Sequence, residues 1–349
     1  MTYDPRASFL THSNYVAAFD TLISSHYLPG KYGLLRPKDQ VLEALAAQVR
    51  SSRPYGRLQP RPTRADIEAI VSALRNAWGT ELLLAATGEI AHDELIGLAN
   101  NWAVVQAYYA GYHAVQALVL ARGEPRPQSH PTTQRQNSTF WAMRSVNLPP
   151  WSLGWHSAGC CNLPSDRTVN PIHPWTNCDE YTCWNLAAMA LRTTREDMLK
   201  ERFRKDRERK RSAARRAWQR EEQGRLARNR RPRVEPRLPL PRLSQPEKLA
   251  IDRSLRPSTL LDYLYRLRIR SNYEDATMFT DGPEQAYESW AVHQSLCRIT
   301  AATLLVHELL VGRLIGTATL CSIIDQWSGS SRIAIANIGV RARRSLLCT

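Results

Sequence analysis

The sequence predicts a mainly α fold: a helical bundle interrupted by an insertion and preceded by an N-terminal helical region. Two observations predict it. Apolar residues recur at three- and four-residue spacing through most of the 349 residues. One stretch alone, "RIAIANIGV" (332–340), reads as a strand, and it stands isolated.

In the first ninety residues, "NYVAAFDTLISSHY", "DQVLEALAAQVRSS" and "TRADIEAIVSALRNAWG" each carry helical periodicity, with "PYGRLQPRP" as a breaker between the second and third. Thr63 is the expected N-cap of the third, with Asp66 three residues on. A longer helix runs from about His92 to Arg122, closed by Gly123 and Pro125. From Val146 to Trp184 the helical pattern fails in a stretch rich in Pro, Trp, Cys and His. One long helix follows, largely polar beyond Thr193, and "RRPRVEPRLPLPRLSQP" ends it as an extended linker. Two more helices are expected, roughly Pro257 to Thr280 and Pro283 to Leu314, split by the turn "DGPE". The organisation read from this is an N-terminal helical region (1–90), a bundle first half (91–145), an insertion (146–250), a bundle second half (251–315) and a tail (316–349).

The formal net charge is +15. Between Arg192 and Arg242 stand 20 Lys plus Arg against 8 Asp plus Glu, so +12 of it is concentrated there. Such a segment predicts a polyanion partner, RNA or another nucleic acid. Arg204, Lys205, Arg209, Lys210, Arg211, Arg215 and Arg216 are the expected phosphate contacts, and Trp218 the expected base-stacking ring. The other reading is a solvated projecting helix with partial Glu–Lys and Glu–Arg pairing. Seven Cys, an odd number, and an opening "MTYDPRASFL" without a basic and apolar leader predict a reducing, cytoplasmic setting. The most apolar stretch, "LIGTATLCSII", has eleven residues where a membrane span needs about twenty, so no membrane partner is expected.

Two polar clusters fall on the bundle helices. Tyr109 and His113 share one face, with Tyr108 and Tyr112 beside them. Tyr263, Arg266, Arg270 and Tyr273 form a polar stripe, while Leu260, Leu264 and Leu267 face elsewhere. The stretches "YYAGYHAVQALVLARGEPRPQSH" (108–130) and "LRIRSNYEDA" (267–276) resemble the HEPN family, small four-helix domains of prokaryotic toxin–antitoxin and antiviral systems. The resemblance covers about a quarter of the chain. It implies an interrupted four-helix bundle, a homodimer, a protein antitoxin as partner, and RNA cleavage without a metal. Relatives place a His four to six residues after the catalytic Arg; no His stands in that window after Arg268 or Arg270. The residues assigned to cleavage are Arg268 or Arg270 on the phosphate, His113 as base, and Tyr273 as proton donor or as orienter of the Arg. The competing reading is an Arg270–Glu274 pair at i,i+4 and a buried, hydrogen-bonded His113 that orders the bundle.

Cys160, Cys161, His173, Cys178 and Cys183 lie within the insertion. Thiolate and imidazole are the usual ligands of tetrahedral zinc, and a long loop with little secondary structure needs something to hold it. A structural zinc on Cys178, Cys183, His173 and one of Cys160 or Cys161 is one reading; a Trp-packed loop with free thiols is the other. Three function classes follow: a metal-independent endoribonuclease, a non-catalytic nucleic-acid-binding bundle, and an assembly module that docks partners through its arm.

Overall fold

A computed structural model of the protein describes residues 3–28, 38–59, 66–142, 146–163, 169–170, 172–330 and 339–348. It is mainly helical. Asp4 caps helix α1 (Pro5–Tyr27), its carboxylate accepting from the Ala7 N–H at 3.2 Å. Helices α2 (Lys38–Ser51) and α3 (Arg53–Arg57) follow. Helix α4 (Ile67–Ile90) is capped by Asp66, which accepts from the Ala69 N–H at 3.0 Å. A carboxylate there also meets the positive end of the helix dipole. The cap is therefore Asp66 and not Thr63, which lies outside the described residues, as does most of the expected strand 332–340. Helix α5 (Asp93–Ala121) matches the expected span, and Gly123, at φ +74°, supplies the left-handed residue that ends it.

Helix α6 (His130–Trp141) leads into an antiparallel hairpin, β1 (Gly154–His156) and β2 (Gly159–Cys161), in register Gly154 to Cys161. Helix α7 (Cys183–Leu226) has 44 residues and is about 66 Å long at 1.5 Å per residue. Helix α8 (Gln245–Ser254) carries a capping box of Ser244 and Glu247. The expected 257–280 helix is broken into α9 (Leu260–Ile269), a π-helical turn (Arg270–Glu274) and the short α10 (Met278–Asp281). Helix α11 (Ala286–Ile315) is the central rod, followed by α12 (Thr317–Ser330) and α13 (Val340–Leu347).

In the bundle α5 packs along both α4 and α11, and α9 crosses α5. Helix α1 lies against α7 and α11, and α2 against α11. One buried apolar cluster runs from Phe9 to Leu347, so α1, α2 and α4 share a core with α5, α9 and α11. Helix α11 is long and apolar enough to cross a membrane, and 89 % of that window is buried inside the fold. At the far end, Arg343 of α13, 1 % exposed, enters between Glu81 of α4 and Glu308 of α11. Trp78 donates its indole N–H to Glu308 at 2.8 Å. Cys321 and Cys348 are joined by a disulfide that fastens the chain after α13 to α12. The sequence reading did not include that bridge.

Candidate nucleic-acid site

Three elements build the site. Helix α5 contributes Tyr108, Tyr109, Tyr112 and His113, because offsets of four and five residues keep them on neighbouring faces of one helix. Helix α9 contributes Tyr265 and Arg268. Helix α6 contributes His130 at its first position, held there by Ser129, whose hydroxyl accepts from the Thr132 N–H at 3.4 Å.

The Arg268 guanidinium stands over three rings, 5.2 Å from the Tyr109 centroid, 5.7 Å from Tyr265 and 5.8 Å from Tyr108. Each such contact stabilises the cation by about 0.5–1 kcal/mol. The guanidinium makes no hydrogen bond or ion pair among the described residues. His130 sits 5.5 Å from Tyr265 and 5.9 Å from Tyr109, and its Nδ1 is hydrogen-bonded to the Tyr108 hydroxyl at 2.7 Å. His113 stacks on Tyr109 at 6.2 Å. Burial lowers the pKa of His130, and the Arg268 charge lowers it further. Burial likewise lowers that of His113 against an opposing hydrogen bond with Gln116, and Arg126 and His130 act in the same direction as burial. Both imidazoles are therefore predominantly neutral at pH 7, the state in which a histidine accepts a proton. Burial also raises the Tyr108 phenol, which keeps its proton.

The expected catalytic set divides. Arg268 and His113 meet through Tyr109. Arg270 lies on the opposite flank of α9, where its Nη atoms donate to Asp197 at 3.0 Å and Asp275 at 3.3 Å. Tyr273 is 73 % exposed on the π-helical turn. The expected Arg270–Glu274 pair is replaced. The turn is closed by an i→i+5 hydrogen bond from the Asp275 N–H to the Arg270 carbonyl (2.7 Å), so Asp275 meets Arg270. Glu274 instead accepts from Arg266 at 2.8 and 2.6 Å. Sequence reasoning missed His130, although Ser-His-Pro is an N-cap signal that fixes a histidine at a helix start. It also missed Asp197, 69 residues before its partner Arg266.

The Arg-rich arm is more compensated than its sequence implies, because the linker after α7 folds back along it. Arg204 is clamped by Glu201 and Glu208 at 2.7 Å each, and Lys205 and Arg209 pair with Glu201 and Asp206 at 3.2 Å each. Lys210 pairs with Glu247 beyond the linker, and Arg215 with Glu235 within it at 2.5 Å. Trp218 is covered on one side by the Arg233 guanidinium, 6.0 Å from its centroid. Arg211 and Arg216 are exposed and form no ion pair among the described residues.

The thiols of the insertion are dispersed. Cys160 and Cys161 sit on β2, where Cys161 donates to the Gly154 carbonyl at 3.0 Å. Cys178 is 3.7 Å from the Thr21 hydroxyl of α1, Cys183 opens α7, and His173 is exposed. Burial pushes the Cys160 and Cys178 thiols up to about 12. Among the described residues no three His, Cys, Asp or Glu side chains stand together in a way that would hold a metal ion. No protein-family model matches the chain, and no curated protein or solved structure does either.

Proposed function

We propose that the protein is an HEPN-like RNA-binding protein that cleaves RNA without a metal at the Arg268 site. The observation that carries this reading is a guanidinium caged by three tyrosine rings, free of any carboxylate among the described residues, beside two neutral histidines. A cation without an internal counter-ion retains its full charge for a phosphate, and its fork suits two phosphate oxygens. His130 accepts the proton of the ribose 2′-hydroxyl. The 2′-oxygen then attacks the phosphorus, Arg268 neutralises the non-bridging oxygens, and the departing 5′-oxygen takes its proton from water. The products are a 2′,3′-cyclic phosphate and a 5′-hydroxyl end. The test is analysis of product ends from purified protein and labelled RNA in EDTA. Cyclic phosphate ends that appear with wild type and not with His130→Ala support the reading. Ends bearing a 5′-phosphate contradict it.

A second reading rests on a different observation. Arg211 and Arg216 project from α7 without carboxylate partners among the described residues. In this reading the arm holds RNA and the Arg268 site performs no chemistry. Retained, salt-sensitive binding by a protein that forms no product supports it.

A further inference from the structure

On the opposite flank of α9 from Arg268, helices α1, α7 and α9 enclose a cavity of about 120 Å³. His12, Tyr15, Asp197, Tyr263, Arg266 and Arg270 line it. A polar cavity of that size holds several waters or one small ligand. Two side chains on its wall remain partly exposed, Arg266 at 27 % and Arg270 at 29 %.

The walls offer donors. His12 is 9 % exposed, and its Nδ1 is buried with no hydrogen-bond partner. Leaving such a nitrogen unmatched in the interior is unfavourable. Arg270 donates through its two Nη atoms and has no hydrogen bond to its Nε among the described residues. Four of the five hydroxyls around the cavity are committed to carbonyls, and the fifth is that of Tyr15. Thr11, Thr193 and Thr194 donate to helix carbonyls, and Tyr263 donates to the His12 carbonyl. The acceptor on the wall, Asp197, is already engaged by Arg266, Arg270 and Lys200 at 2.9 to 3.1 Å. Burial pushes His12 down to about 3, and Arg270 and Arg266 act in the same direction against Asp197. The ring is therefore neutral. The π-helical turn that begins at Arg270 is the kind of local irregularity that recurs at functional sites.

We infer that this cavity is an oxyanion site that takes one phosphate group, bound by the Nε–H of Arg270 and the Nδ1–H of His12. The inference is independent of cleavage at Arg268. The phosphate has two sources, free inorganic phosphate or the terminal monophosphate of an RNA strand.

The experiment is calorimetric titration of the full chain with sodium phosphate in chloride buffer, on wild type, Arg270→Gln and His12→Gln. Circular dichroism verifies the fold of each. Wild type is expected to give saturable heat, and either variant to weaken binding at least about tenfold. A second arm titrates a short oligoribonucleotide with a 5′-phosphate against the same strand with a 5′-hydroxyl. A preference for the phosphorylated strand that disappears in Arg270→Gln assigns the site to RNA ends. Phosphate binding without that preference assigns it to the free ion. If one variant does not fold, the other decides. No saturable phosphate binding by folded wild type, or equal binding by a folded variant, overturns the inference.

Discussion

The two flanks of α9 hold arginines of opposite character, two residues apart. Arg268 is surrounded by aromatic rings and has no counter-ion among the described residues. Arg266 and Arg270 are bound to Asp197, Glu274 and Asp275. Burial works to raise the Asp197 carboxyl, and Arg270, Arg266 and Lys200 outweigh it, holding it below the ordinary carboxylate range. A paired arginine ties α9 to α7. A caged arginine spends little of its charge on the fold and keeps it for a ligand. The same residue type thus serves stability on one flank, where the Arg270 Nε–H alone is left for the inferred oxyanion, and, in the proposed reading, chemistry on the other.

The sharpest way to break this comparison is substitution at each flank. Arg268→Ala is expected to lower RNA cleavage by about 10²–10³-fold, the usual cost of losing a donor to transition-state charge. The three lost ring contacts should also lower its stability, by roughly 1–3 kcal/mol, and rate and thermal melt are measured together. Arg266→Ala is expected to retain cleavage while stability falls by about 1–3 kcal/mol in urea denaturation.

Acid should act on stability through buried histidines rather than through Arg268. Burial holds His12 at about 3 and His307 at about 4 in the folded protein, against about 6.5 when unfolded. The unfolded chain binds more protons across that window. Stability is therefore greatest above about pH 6.5 and falls as pH drops toward 4. The loss, roughly 3 kcal/mol per histidine, is read from denaturation midpoints across the pH series. Cleavage should also fall as pH drops below the ordinary histidine range, because burial and Arg268 hold the His130 pKa down and a protonated His130 is no longer a base.

The smallest effect belongs to the arm. Replacing Arg211 and Arg216 by Gln should reduce the slope of log affinity against log salt by about one to two. An equal loss from the carboxylate-paired Arg204→Gln would erase the distinction between paired and unpaired cations.

Much of the fold was legible because its determinants are local. The span of α5 follows from helical periodicity and Gly123, and the stripe Tyr263, Arg266, Arg270 does line one cavity. Tyr273 leaves that stripe because the π-helical turn shifts the register, and such a turn has no signature in periodicity. Long-range pairing was equally hidden. Arg343 reads as one more cation in a basic tail, yet it is buried between Glu81 and Glu308. The fold-back of the linker turned an apparent excess of charge on α7 into pairs with Glu235 and Glu247. Arg268 and His113 were identified from their helices, whereas His130 required knowing that α6 begins beside Tyr108.

The most direct test of the central claim is the rate of RNA cleavage in EDTA by wild type, Arg268→Ala and Arg266→Ala, each verified as folded. The account predicts cleavage by wild type and Arg266→Ala and its loss in Arg268→Ala. Equal rates in the two variants, or no cleavage by folded wild type, would contradict it.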